Sequence, residues 1–169
     1  WIVFIGDFVD RGPDPAGAVE RVLALVAGHP RTTAVCGNHD LAFAAALGLV
    51  ETPAEADWAG RWVDHFDSDT TFASYGVDRG DIDGLSGRLP SAHARFLSGL
   101  PWCVEHPDAF CVHAGLDPHM PFDLQRRILH RRDLSLHRPP WLCSRTLAES
   151  PGPPDCPVPI VSGDRKSVV

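Results

Sequence analysis

Two short loops constrain the fold of this chain more than anything else in it: Gly6-Asp-Phe-Val-Asp-Arg-Gly12 and Gly37-Asn-His-Asp40. Each follows a short apolar run rich in β-branched residues, Trp1–Gly6 and Thr32–Cys36, of the kind that forms a buried parallel strand. Asp14-Pro15 opens the segment between them as a helix. Asp14 is its cap, and Pro15 sits in the first turn, where a missing N–H costs nothing. Val19, Val22, Leu23 and Val26 supply the apolar face, and Gly28 with Pro30 ends it. Strand, helix and strand make a right-handed βαβ unit, which delivers both loops to the carboxyl ends of neighbouring strands.

That placement collects carboxylates, an amide oxygen, an imidazole and a guanidinium, a set suited to a divalent cation and a phosphate. Asp7, at a strand end, is placed to bridge two cations. Asn38 offers an amide oxygen, and His113, at the end of a third strand over Ala109–His113, offers an imidazole. His39 must point elsewhere than Asn38, and is read as the acid that protonates a departing oxygen. Asp10 holds that imidazole in its charged, donating form. Arg11 clamps phosphate oxygens, and Gly6 and Gly12 allow the tight backbone between them. No Gly-Lys-Ser/Thr follows the first loop, which excludes a P-loop, and no Gly-x-Ser-x-Gly elbow is present for a serine hydrolase.

The rest of the chain bounds these readings. At 169 residues, 44% hydrophobic and 22% charged, it reads as one soluble domain with a proper core. A net charge of −7 argues against a general nucleic-acid partner, and the longest apolar runs are far short of a membrane span. No basic segment precedes Trp1–Ile5 to make a leader, and without an initiator methionine the chain reads as one that has been cut. The five cysteines form no Cys-x-x-Cys pair, which points to reduced, mostly buried thiols in the cytoplasm. Helices are expected over His39–Leu49 and Pro90–Leu100, and a further strand over Val158–Ser162. Trp58, Trp62 and Phe66 recur every four residues within an acidic stretch, and read as the core face of a surface helix. Arg126–Arg138 holds five of the fifteen Lys and Arg residues, as a solvated helix face or a patch that steers anions.

Taken together these segments resemble the calcineurin-like metallophosphoesterases, and within them the bacterial phosphoprotein (Ser/Thr) phosphatase branch. Gly6–Gly12 is similar to that branch's second motif, Gly37–Asp40 to its third, and His113-Ala-Gly115 to its fourth. Phe72–Val77 and Phe96–Pro101 are similar to intervening stretches. The resemblance covers residues 1–163 as a partial domain, with 164–169 an atypical tail. It implies an α/β fold, a metallophosphoesterase-type β-sandwich flanked by helices, here missing its first strand and the C-terminal strands. It also implies two divalent ions, manganese, iron or zinc, and attack by a metal-bound hydroxide without a covalent phosphoenzyme. Asp7, Asn38 and His113 become metal ligands, His39 and Asp10 the acid pair, and Arg11 and Arg145 phosphate anchors. The implied substrate is a phosphorylated protein or peptide, or a small phosphoester. The alternatives are a dinucleoside polyphosphate (Ap4A-type) hydrolase and a non-catalytic phosphate-binding module. The family's Asp-x-His-Gly motif belongs before Trp1, and its Gly-His is replaced by Gly163-Asp164, so one metal rather than two is expected on this chain.

Overall fold

Helix boundaries in this chain are written by a repeated cap. Asp14, Asp57 and Asp81 each accept the backbone N–H three residues on, from Gly17, Gly60 and Gly84, at 3.0, 3.0 and 2.9 Å. A Cβ on any of those glycines would lie 2.1–2.4 Å from the capping carboxylate, so the small third residue is what lets the short side chain fold back. Each cap is worth about 1 kcal/mol. They open α1 (Pro15–Gly28), α3 (Trp58–His65) and α5 (Ile82–Arg88).

The computed structural model describes residues 1–53, 55–134 and 138–164. Its elements run β1 (Ile2–Phe4), α1, β2 (Thr32–Ala34), α2 (Asn38–Ala46), α3, α4 (Asp69–Ser74), α5, α6 (Ser91–Gly99), β3 (Cys103–His106), β4 (Ala109–Val112), α7 (Phe122–Arg131), α8 (Pro140–Cys143), α9 (Arg145–Ala148) and β5 (Ile160–Val161). This is the expected α/β fold, with a two-stranded sheet, β1-β2, and a three-stranded one, β3-β4-β5. The chain forms two compact units whose segments interleave: Trp1, Asp7–Thr32 and His39–Leu100 make the first, and Ile2–Gly6, Thr33–Asn38 and Pro101–Val169 the second. The tail from Arg165 onward, and residues 135–137 of the basic segment, lie outside the described residues.

The first unit is helical. Val19 and Val22 of α1, Phe43 of α2, Trp62 of α3, Phe72 of α4, Leu85 and Leu97 are all buried. Trp62 packs at a tilt against Phe72 and meets Phe43 edge-on, with ring centroids 5.0 and 5.3 Å away. Buried His93 on α6 ties three elements together. Its Nε2 meets Glu20 of α1 at 2.7 Å, and its Nδ1 meets the Tyr75 hydroxyl, at the end of α4, at 2.9 Å. Burial, then Asp14 and Glu20 nearby, push the Tyr75 phenol well above its ordinary range, which keeps it a neutral hydroxyl.

The second unit holds the sheets. β3 runs antiparallel to β4, with Cys103 opposite Val112, and β4 runs parallel to β5, with Phe110 opposite Ile160. α7 lies against them through Phe122, edge-on to Phe110 at 5.1 Å. Fully buried Gln125 of α7 fixes the segment after β4. Its Oε1 accepts from Asp117 N and the Trp141 indole, and its Nε2 donates to Asp117 O and Met120 O, at 2.7–2.9 Å. Burial pushes the Cys103 thiol up to about 12 and raises Cys111 and Cys143 as well, so these are packing thiols rather than reactive ones.

The basic stretch is partly spent on local pairing. Arg126 donates to Glu105 of β3 at 2.7 Å, His130 meets the same oxygen, and Arg127 pairs with Asp123 at 3.5 Å. Slight burial works to raise the Glu105 carboxyl, but the bonds from His130 and Arg126 outweigh it and hold it below the ordinary carboxylate range. A depressed carboxyl adds stability above its unfolded-state value of about 4.3, and that stability is lost as pH falls through the folded value. Glu105→Gln is therefore expected to flatten the acid limb of a Tm-against-pH curve, modestly because the pair is solvent-screened. An unchanged limb would mean the pair contributes nothing.

Candidate active site

Three strand ends meet in the second unit, and a glycine is what lets them. Gly6, just past β1, has φ +83°, and a Cβ there would sit 2.4 Å from Gly37 N and 2.9 Å from His113 Nδ1. The end of β1 thus presses on the residue after Cys36 and on the imidazole that follows β4. A Gly6→Ala change combines left-handed strain with overpacking and is expected to cost on the order of 3 kcal/mol, read as a shift in the urea midpoint. Wild-type stability in that variant would show that the strand ends tolerate separation.

His113 is buried and its Nδ1 bonds Ile5 O, which can only accept. Nδ1 therefore carries a proton, which in the neutral ring puts the lone pair on Nε2. Metal-ligating histidines are commonly oriented in this way by a backbone carbonyl. Gly163 N donates to His113 O at 2.7 Å, bringing the next residue close, and an Asp164 carboxylate oxygen lies within 4.8 Å of a His113 ring nitrogen. An imidazole and a carboxylate at this spacing are a fit pair for a divalent cation. Asn38, partly exposed, opens α2 in the same unit. Asp7 and His39 follow Gly6 and Asn38 directly in the chain, and belong to the first unit.

In that first unit the loop from Asp7 is strained. Asp7, Asp10 and Arg11 have φ of 60°, 67° and 57°, a conformation that costs of order 1 kcal/mol or more for side chains other than glycine. Hydrogen bonds hold it. The fully buried Asp40 carboxylate accepts the N–H groups of Asp7 and Phe8, both at 2.8 Å, and Asp10 N donates to Thr71 Oγ1 at 2.8 Å. Asp7 Oδ1 in turn accepts from His39 N at 3.2 Å. Sequence reasoning gave Asp40 no task; its place in the first turn of α2 was the available signal, since N–H groups crowd there.

The structure brings His39 and Asp10 together. His39 Nδ1 lies 2.7 Å from Asp10 Oδ2, both side chains being buried. The same oxygen accepts from the Trp62 indole at 3.0 Å, and Oδ1 accepts from Thr71 Oγ1 at 2.7 Å. Trp62 can only donate, and the Thr71 hydroxyl directs its proton at Oδ1, so both oxygens of Asp10 act as acceptors. His39 Nδ1 then directs a proton at Oδ2, and Nε2 is the ring nitrogen turned away from Asp10. Phe66 meets the imidazole edge-on at 5.1 Å.

The two arginines are placed apart in kind. Arg11, largely exposed, contacts Asp67 through Nε at 3.3 Å. A surface pair of this sort is worth little and leaves the guanidinium able to exchange partners. Arg145 begins α9 in the second unit and is exposed; its neighbours Ser144 and Thr146 line an open cleft of about 620 Å³ with Asp117, His119 and Glu149.

Residues 1–160 match the family model of the calcineurin-like phosphoesterases. The chain belongs to that family. Curated relatives include the "Bis(5'-nucleosyl)-tetraphosphatase, symmetrical" of Bordetella pertussis, 43% identical over 54 residues, which is 32% of this chain and 18% of that protein. The protein of the same name from Burkholderia pseudomallei strain 668 is 29% identical over 138 residues, 82% of this chain and 40% of that protein. This calcineurin-like phosphoesterase chain therefore spans less than half the length of these relatives. The assignment to the phosphoprotein (Ser/Thr) phosphatase branch is overturned by them, because the related proteins carry tetraphosphatase names. The physical reason is that the residue types in the loops at Gly6–Gly12 and Gly37–Asp40 were read for their fit to a cation and a phosphate, and such a fit does not depend on what the phosphate is attached to. Among the described residues, no helix is long and apolar enough to cross a membrane.

Proposed function

We propose that the family site represented on this chain hydrolyses a phosphoanhydride bond in dinucleoside polyphosphates. The observation that carries the reading is the His39–Asp10 pair, whose orientation suits donation of a proton from His39 Nε2 to a departing phosphate oxygen. The related tetraphosphatases favour a polyphosphate over a phosphoprotein as the molecule that supplies this oxygen. A water oxygen forms the new P–O bond as the P–O–P bridge breaks; the imidazolium of His39 gives its Nε2 proton to the departing phosphate oxygen, and the proton lost by the water passes to solvent, from which the ring is recharged. Asp10 balances the charge on the ring throughout.

Asp7, Asn38 and His113 are the proposed metal ligands, with Asp164 as a further donor beside His113. Oxygen and imidazole donors suit manganese, iron or zinc. A bound divalent cation supplies charge neutralisation on the phosphate and activation of water. Arg11 and Arg145 are the proposed phosphate anchors, acting through paired N–H donors. A reducing, cytoplasmic setting agrees with five free cysteines, three of them buried.

The test is incubation of the purified chain with diadenosine tetraphosphate and Mn²⁺, with nucleotide products separated by chromatography. The expected result is metal-dependent release of adenosine diphosphate. Tight, metal-dependent binding of the tetraphosphate with no product would replace this reading by a phosphate-binding module.

A further inference from the structure

We propose that Trp62 and Thr71 are positioning residues for the acid, acting through Asp10; the proposal rests on the role given to His39 above. In the helical unit the Asp10 carboxylate is wholly buried and takes its hydrogen bonds from three side chains, one being His39. The other two come from helices far along the chain. Trp62, in α3, donates its indole N–H to Oδ2 at 3.0 Å, and Thr71, in α4, donates its hydroxyl to Oδ1 at 2.7 Å. Thr71 also accepts Asp10 N at 2.8 Å, so one hydroxyl fixes both the backbone and the side chain of the same residue.

Each support is itself immobilised. Trp62 is fully buried, with Phe43 and Phe72 against its ring, and Thr71 is fully buried as well. The segment from α3 to α4 also supplies Phe66, against the His39 ring, and Asp67, which holds Arg11 by side chain and backbone. These two helices thus hold Asp10, Arg11 and the imidazole from one side.

A carboxylate fixed at both oxygens has one orientation to offer the imidazole. Without Thr71, Asp10 can rotate about its last torsion and carry the His39 ring with it, so that Nε2 no longer points one way. Without the indole, Oδ2 loses the donor that keeps it beside Nδ1. Supporting partners of this kind typically change activity by about 10- to 100-fold when removed.

The experiment pairs Thr71→Val, which keeps the shape, with Thr71→Ser, which keeps the hydroxyl, and adds Trp62→Phe. The first readout needs no turnover: the His39 Nδ1–H signal in ¹H–¹⁵N NMR spectra of the full chain. It is expected as a sharp, slowly exchanging resonance in wild type and Thr71→Ser, and broadened or lost in Thr71→Val and Trp62→Phe. The second is hydrolysis of diadenosine tetraphosphate, where Thr71→Val should lower kcat about 10-fold or more with KM changed less than about 2-fold, and Thr71→Ser should restore it. Adding Thr71→Val to His39→Ala should cost nothing further. An unchanged Nδ1–H signal in Thr71→Val overturns the proposal, as does an equal loss of rate with and without His39. If wild type shows no hydrolysis, the functional reading fails, and the NMR comparison still decides the positioning.

Discussion

Replacing His39 with alanine is expected to lower kcat for tetraphosphate hydrolysis about a hundred-fold, with KM little changed. General-acid assistance spans roughly a hundred- to ten-thousand-fold. The lower end applies because a departing phosphate oxygen is less basic than an alkoxide and needs its proton less. The binding term should survive, since the proposed phosphate anchor Arg11 and the proposed metal ligands are untouched. Loss confined to kcat is the mark of an interaction made in the transition state. The measurement is steady-state kinetics in saturating Mn²⁺, with bound metal quantified in both proteins so that lost loading is not mistaken for lost acid. Activity within about two-fold of wild type, at equal loading, would remove His39 from the proton transfer.

Asp10→Ala is expected to cause the largest loss of stability. The carboxylate is buried and accepts from His39, Trp62 and Thr71. Truncating it leaves three buried donors facing an apolar gap, and breaking a buried charged network in this way costs about 3–5 kcal/mol. Against a total stability of roughly 5–15 kcal/mol for a domain, that is a large fraction. Asp10→Asn should do better, because asparagine also tolerates the left-handed backbone at φ 67° and keeps one acceptor oxygen. Urea denaturation followed by tryptophan fluorescence reads both, with Trp62 a direct reporter. A cost below about 1 kcal/mol for Asp10→Ala would mean that water replaces the carboxylate at little penalty.

Features set by neighbours in the chain were legible beforehand. The cap at Asp14, the proline beside it and the terminal Gly28 mark α1 to the residue, and the Gly-flanked loops mark where β1 and β2 end. The contact between His39 and Asp10 was legible too, since two specific loops sit either side of one crossover helix. What escaped was set by distance. Trp62 shows its helical period and so its buried face, but a period names no hydrogen-bond partner. Thr71 meets Asp10 across 61 residues, and nothing local in a threonine after Asp69-Thr70 announces that. β3 was missed because Cys103–His106 is short and gains its strand from pairing with β4 across the Pro107-Asp108 turn. The segment of α7 was read as a solvated helix face or a steering patch, while its structural weight lies in Gln125, a polar residue in a fully buried place. The branch of the family was read wrongly because the quoted motifs report on phosphate and not on what it is joined to.

Metal-dependent cleavage of a phosphoanhydride, assisted by His39, is the chemistry proposed for the two loops. The most direct measurement compares diadenosine tetraphosphate with a phosphoserine peptide as substrates for the Mn²⁺-loaded chain, in wild type and His39→Ala. Wild type is expected to release nucleotide from the tetraphosphate, His39→Ala to lose that release, and the peptide to yield little or no phosphate. Preferred release of phosphate from the peptide, or tetraphosphate cleavage that persists undiminished without His39, would contradict that proposal.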